Sequence, residues 1–150
     1  MSTWTEEMEQ LQASFDLTFP FDRTSVELQL QGGGVEVLNV LVAQTAEQKA
    51  RGMTGRTFEQ GEDGMLFVER QDSNIAFHMN GVPKALLIAW FDADGEYIDS
   101  RIMPSASPWQ FFSPRPFRYA IEFPVAMARE ELEEFQLKLG ASKLVLGDPS

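Results

Sequence analysis

The sequence predicts a mainly β protein: a single-domain antiparallel β-sandwich or barrel-like fold, jelly-roll-like, with two or three short helices. Three observations lead to this prediction. Roughly seven to nine short segments carry the apolar pattern of strands. Turn-forming residues separate these segments. Strands and helices do not alternate regularly, as they would in a protein with a parallel sheet.

The first element is an acidic N-terminal helix with a linker, placed in residues 1–24, ahead of a β domain at 25–150. Thr3 and Glu6 have the spacing of a capping box. Apolar side chains then recur at helical spacing over residues 4–14. This apolar stripe docks either on its own domain or on a partner. The candidate docking residues are Trp4, Met8 and Leu11.

A β-hairpin is predicted next. Apolar and polar residues alternate from residue 25 to 31, and a longer strand covers 35–43. The three glycines between them, 32–34, form the turn. They are not a phosphate loop, because no Lys-Ser/Thr pair follows them and they join two strands.

A short helix is predicted over residues 46–51. Thr45 and Gln48 form its capping box, and Gly52 ends it. The strands that follow are predicted at 64–69, 75–79 and 86–91. The last of these is almost wholly apolar, which is typical of a strand covered on both faces.

A tight hairpin turn at 92–95 leads into a strand over 96–103. Asp92 and Asp94 are expected to bond their own backbone there. A calcium loop is excluded, because Trp90 and Arg101 would occupy positions that require carboxylates.

The C-terminal part contains a Pro/Ser-rich loop over 104–116, which is interrupted by the aromatic residues Trp109, Phe111 and Phe112. A strand at 117–123 and a helix at 125–134 follow. Two short strands, at 137–139 and 143–146, are expected to close the chain.

Composition excludes several classes of function. The net charge of −11 argues against binding nucleic acid or an anionic membrane. The absence of Cys and the single His argue against a metal centre, and no cofactor is predicted. The acidic start is unlike a signal peptide, and the longest apolar run, 85–91, is too short for a transmembrane segment. We therefore expect a cytoplasmic protein or a part of a particle assembled in the cytoplasm.

Several separated blocks occur in the order found in one known family. They are 47–56, 64–67, 77–79, 90–92 with Gly95, and 113–122. With these blocks the chain resembles domain-of-unknown-function family 192. The resemblance implies a mostly β single domain over roughly residues 35–146, without an agreed activity or cofactor. The family occurs in bacteria, archaea and some phages.

The chain departs from this family at polar positions. Gly81 and Val82 replace an Asn-Thr pair, Leu87 replaces an Asp, and Ser105 replaces a Cys; His78 replaces an aromatic residue. Each lost hydrogen-bonding partner leaves others unpaired, so these departures argue against chemistry shared with the family.

Candidate site residues follow from residue type. His78 is the only imidazole; a surface position is favoured over a general base. Trp109 and Phe112, in the Pro-rich loop, either cap the core or anchor a sugar or a protein partner. Arg115 either holds a buried carboxylate, such as Glu122, or faces an anionic ligand.

Pairs of acidic residues are candidate catalytic groups for glycoside hydrolysis. Asp99, Glu122 and Glu96 would have to lie close together for glycoside chemistry, and a chance pairing is expected among 23 acidic residues. No catalytic residue is assigned.

The sequence thus favours a non-catalytic binding or structural domain that contacts a protein partner or a second copy of itself in a larger assembly, a phage particle being one example. The alternative is a small-ligand or glycan-binding protein, or an enzyme, with its site near His78, Asp92, Trp109 and Arg115.

Overall fold

Nine strands and two helices form the part of the chain that this computed structural model describes, residues 21–54, 62–125 and 129–146. In chain order they are β1 Asp22–Gln29, β2 Val35–Ala43, α1 Ala46–Arg51, β3 Gly64–Ser73, β4 Phe77–His78, β5 Leu86–Phe91, β6 Tyr97–Met103, β7 Gln110–Phe111, β8 Phe117–Pro124, α2 Arg129–Leu139 and β9 Lys143–Leu146.

Seven strands form one sheet in the order β6-β5-β8-β3-β2-β1-β9, and β4 pairs with β7 in a separate two-stranded sheet. The mainly β, sandwich-like or barrel-like fold predicted from the sequence is confirmed. One pair differs from the antiparallel expectation, since β2 and β3 run parallel. The connection between them contains α1, and such a crossover is what a parallel neighbour requires.

The two edges of the large sheet approach each other at the turn between β5 and β6. Glu96 forms an isolated antiparallel bridge with Lys143 of β9. The Leu144 N–H donates to the Gly95 carbonyl oxygen at 2.7 Å, and the Tyr97 N–H donates to that of Ser142 at 3.1 Å. These contacts satisfy backbone groups that an open edge would leave unpaired.

Apolar side chains cover both faces of the large sheet. On one face they pack with α2 into an inner core, which includes Leu28, Val40 and Phe91. On the other face they form an outer core beneath α1 and the β4–β7 sheet, with Trp90 and Phe117 among its members. All six residues of β5 are buried, as the continuous apolar run predicted.

The C-terminal prediction needs a correction. The predicted helix at 125–134 and strand at 137–139 are replaced by one helix, α2, which extends to Leu139. Leu132 and Leu139 are buried in the inner core, and Phe135 packs against it. Their helical spacing places all three on one face, so burial of this face extends the helix.

Strand ends also shift from the predicted positions. β1 begins at Asp22 rather than residue 25, β3 continues to Ser73, and the strand expected at 75–79 is reduced to two residues, Phe77 and His78. Pairing with a neighbour decides these ends, because a strand continues for as long as a partner takes up its backbone hydrogen bonds.

We predict that Gly95→Ala lowers the free energy of unfolding by about 3 kcal/mol or more. Gly95 has a φ of +83°, and a Cβ there would lie 2.2 Å from the Leu144 carbonyl oxygen. Gly33→Ala is the matched control, because its φ is +95° and a Cβ there meets open space. Urea unfolding should show a loss of only about 1 kcal/mol for the control. Equal losses would contradict a steric role for the contact with β9.

Candidate functional site

A small cleft lies between the C-terminal end of α1 and β4, above the outer core. Its volume is about 60 Å³. We call it the α1–β4 cleft. The residues that line it are Lys49, Ala50, Arg51, Gly52, Met53, Thr54, Phe67, Ile75, Ala76, Phe77, His78, Val82 and Glu122.

Helix α1 is held in place at both ends. Thr45 accepts a hydrogen bond from the Gln48 N–H, and the Gln48 side chain bonds the backbone of Thr45 in return. This capping box is the one predicted from the sequence. At the other end, Gly52 has a φ of +46°, and a Cβ there would lie 3.6 Å from the ring of Phe67. An ion pair between Lys49 and Glu69 joins the helix to β3.

Strand β4 is held by aromatic packing. Phe77 meets Phe67 edge to face, with ring centroids 5.2 Å apart, and its ring also lies 5.7 Å from that of Phe117. Such pairs stabilise a fold beyond the burial of their area. They fix the wall of the cleft that carries Phe77 and His78.

The carboxyl group of Glu122 lies at the buried end of the cleft. Its cross-strand neighbours, Met65 on β3 and Ile88 on β5, are apolar and buried. Only 3% of Glu122 is exposed. Burial disfavours the charged form and raises its pKa to about 8. No hydrogen bond or ion pair from the described residues reaches this carboxyl group.

Other polar groups stand along the walls. Lys49 and Arg51 come from the last turn of α1, and Thr54 follows it. His78 lies on the exposed side of β4, and its Nδ1 accepts a hydrogen bond from the Asn80 N–H at 3.2 Å. In the neutral ring, Nε2 then carries the proton.

The β4–β7 sheet connects the cleft to the Pro-rich loop of residues 104–116, which we call the aromatic loop. Phe77 pairs with Phe111, and His78 pairs with Gln110. Trp109 is 67% exposed on this loop.

Two hydrogen bonds hold the part of the aromatic loop that precedes β7. Ser105 Oγ donates to the Pro83 carbonyl oxygen at 3.0 Å, and the Trp109 N–H donates to Ser107 Oγ at 3.3 Å. After β7, Phe112 is 55% exposed. The aromatic side chains therefore project from an anchored backbone.

The remaining predicted site residues lie elsewhere. Asp92 and Arg115 form an ion pair at 3.8 Å and do not line the cleft. Asp92 Oδ1 accepts hydrogen bonds from the N–H groups of Asp94 and Glu96, which confirms the predicted turn. The three N-terminal candidates lie outside the described residues: Trp4, Met8 and Leu11.

The acidic residues that were weighed as a catalytic pair each have a separate environment. Asp99 pairs with Arg101 at 3.5 Å, and Glu96 pairs with Lys143 at 3.9 Å. Glu122 is buried instead. Because side chains alternate between the two faces of β8, Glu122 points away from the face that carries Ile121 and Phe123. In a sheet buried on that one face only, the Glu122 side chain would be exposed to solvent. The apolar cover on the second face of β8 buries it.

The positions that depart from the family pattern are divided between the two faces. Val82 lines the cleft, and a Cβ on Gly81 would lie 3.0 Å from Thr54 Cγ2. Leu87 belongs to the inner core, on the opposite face of β5 from Ile88. Leu87 therefore lies apart from the other departures, since His78 lines the same cleft as Val82 and Ser105 Oγ donates to the Val82 carbonyl oxygen at 3.4 Å.

Residues 21–54, 62–125 and 129–146 contain no group of three or more His, Asp or Glu residues arranged to hold a metal ion. None of the helices in these ranges combines the length and apolar character needed to cross a membrane.

Comparison with known proteins identifies a family and two similar structures. The DUF192 family model, described as Uncharacterized ACR, matches residues 27–142. A crystal structure of a candidate transcription regulator from Sinorhizobium meliloti 1021 is similar, with a TM-score of 0.73, 18% identity, and coverage of 84% of this chain and 95% of that chain.

A second similar crystal structure is a protein of unknown function from Novosphingobium aromaticivorans DSM 12444. The TM-score is 0.70 at 16% identity, and the match covers 87% of this chain and 95% of that chain. Identities this low show the shared fold alone. A search of curated proteins found no match.

We predict that Glu122 makes the fold less stable as pH rises. The folded chain keeps the Glu122 proton up to a pKa of about 8, whereas the ordinary value is 4.5. Between these values the folded state binds more protons than the unfolded state, so raising the pH removes stability, by several kcal/mol over the whole interval. Glu122→Gln should abolish this part of the pH dependence.

Urea unfolding at a series of pH values from about 5 to 8 measures the effect. Glu27→Gln, at an exposed position on β1, is the control and should follow the wild type. If the wild type and Glu122→Gln lost stability in parallel over this range, the buried carboxyl group would not be the cause.

Proposed function

Because the chain belongs to the DUF192 family, which has no assigned activity, we propose a function from its own surface: it is a non-catalytic binding domain that holds a protein partner through the aromatic loop. The supporting observation is the exposure of Trp109, 67%, on a backbone tied to β4 and to Pro83. Its place is the cytoplasm or a particle assembled there, such as a phage.

An exposed indole gains apolar contact when a partner covers it. Trp is the residue type most enriched among the side chains that dominate binding energy at protein interfaces. Phe112, 55% exposed, stands three residues further along the same loop. The two aromatic residues offer a large contact area from one short segment.

Anchoring of the loop adds to this proposal. Phe111, between the two exposed aromatic residues, packs against the outer core and pairs with Phe77. A segment that is already ordered loses little conformational entropy when it binds. Binding therefore gains from contacts without a large ordering cost.

The charge of the chain indicates the kind of partner. With a net charge of −11, association is fastest with a surface of positive or neutral charge, and it weakens as salt screens the attraction. The regulatory description of the Sinorhizobium protein does not extend to this chain, because the same charge opposes contact with a phosphate backbone.

Residues Trp4, Met8 and Leu11 supply a second docking element in this proposal. Their support is the helical spacing of apolar residues in an acidic segment. Deletion of residues 1–20 tests this element separately from the aromatic loop.

Glycan binding is the second candidate, favoured by the same exposed indole beside the polar side chain of Gln110. A sugar would stack on the ring of Trp109 and hydrogen-bond to its neighbours. Tryptophan fluorescence during titration with glycans distinguishes the two, because only the glycan candidate predicts a saturable change that needs no protein partner and is absent from Trp109→Phe.

We predict that the wild type binds a partner in an extract of its source cells and migrates above its own mass of 16.9 kDa, and that the double variant Trp109→Ala/Phe112→Ala does not. Size-exclusion chromatography with light scattering on the tagged full chain, followed by identification of the co-eluting subunit, measures this. Exposed side chains contribute little to stability, so the variant should unfold within about 0.5 kcal/mol of the wild type.

The control for this experiment is Val35→Ala/Val37→Ala. It removes two side chains that are 54% and 60% exposed at the start of β2, away from the aromatic loop. The control should keep the complex. A wild type at monomer mass in the extract, or a complex that survives loss of both aromatic residues, would refute the assignment to this loop.

A further inference from the structure

A second site is indicated by the polar group that the fold leaves at the bottom of the α1–β4 cleft. Glu122 is 3% exposed, lines the cleft, and receives no hydrogen bond or ion pair from the described residues. Buried polar groups in folded proteins almost always have a partner. A carboxyl group that opens into a cleft can take its partner from a bound molecule.

We propose that the α1–β4 cleft binds the carboxylate of a small organic acid with a short apolar chain, with the Glu122 carboxyl group donating its O–H to one carboxylate oxygen. The site is separate from the aromatic loop, since neither Trp109 nor Phe112 lines it.

The state of Glu122 suits an anion. Burial raises its pKa to about 8, so at neutral pH the group is mostly uncharged and carries a proton. It therefore donates a hydrogen bond without repelling a negative charge. A hydrogen bond from O–H to a carboxylate oxygen is among the strong, short types.

Basic side chains on the walls of the cleft also favour an anion, since Lys49 and Arg51 line it from α1. His78 lines the cleft from β4. The strands on either side of Glu122 present apolar neighbours, Met65 and Ile88. Lys49 is paired with Glu69 of β3.

A cationic ligand fits this cleft less well. An ammonium group would meet Lys49 and Arg51 and would have to ionise Glu122 in an apolar environment. The negative end of α1 faces the cleft, but in a six-residue helix it is weak beside these two basic side chains.

The volume and the apolar lining of the α1–β4 cleft determine which organic acid fits. The cleft volume is about 60 Å³, which limits the ligand to a few heavy atoms. Phe67, Phe77 and Val82 supply apolar walls for a short alkyl chain. An aliphatic monocarboxylate of two to four carbon atoms has this combination, and butyrate is the probe we choose.

The experiment is a titration of the full chain with butyrate, in which binding is measured by NMR from the amide chemical shifts of residues 49–54 and 77–82. For so small a ligand we expect a dissociation constant in the millimolar range. Raising the pH from about 6 to about 9 should weaken binding by about tenfold, because ionised Glu122 repels the carboxylate.

Variants of Glu122 identify the donor. Glu122→Gln keeps a neutral donor and should bind within about threefold of the wild type at pH 6, without the loss at high pH. Glu122→Leu removes the donor and should weaken binding by at least about tenfold. Val82→Phe fills the cleft from another element and should abolish binding while leaving Glu122 intact.

Three results would overturn the proposal. The first is the absence of saturable shifts in the wild type at pH 6. The second is unchanged butyrate binding by Glu122→Leu and Val82→Phe together. The third is tighter binding of butylamine than of butyrate with loss of amine binding in Glu122→Gln, which would make the cleft a cation site. Glu27→Gln controls for a general effect of removing one acidic residue.

Discussion

Burial of the central sheet on both faces is the constraint on which the rest of this structure depends. Strands β5, β8 and β3 have apolar cover from α2 on one side and from Met53 with the β4–β7 sheet on the other. Two-sided burial removes more apolar surface from water than a one-sided sheet of the same length. It also buries the polar residues of these strands whose side chains point to either face, and Glu122 is buried in this way.

Only α1 and the small β4–β7 sheet lie over the outer core, and both candidate surfaces are formed by these elements and the loop attached to them. A six-residue helix and a sheet of two short strands close the second face, and they meet above Glu122 without filling the space. The same two-stranded sheet anchors the aromatic loop through Phe111. Both candidate surfaces therefore depend on the same two-stranded sheet.

Local patterns in the sequence predicted much of the fold correctly. The hairpin with its glycine turn, the capping box of Thr45, and the Asp92 turn involve groups within a few residues of each other, so residue type alone decides them. The errors lie where a distant partner decides the outcome. The helical extension to Leu139 and the short β4 depend on the inner core and on pairing with β7.

Strand patterns, turn residues and motif order are properties of the chain, so the amino-acid sequence predicts an acidic, mainly β domain of a recognisable family. The tertiary structure alone decided where its candidate site lies. The β8 pattern points Glu122 toward solvent, and only the packing of α1 and β4 over that face buries its carboxyl group. Burial and the resulting pKa depend on groups distant in sequence, and no local pattern records them.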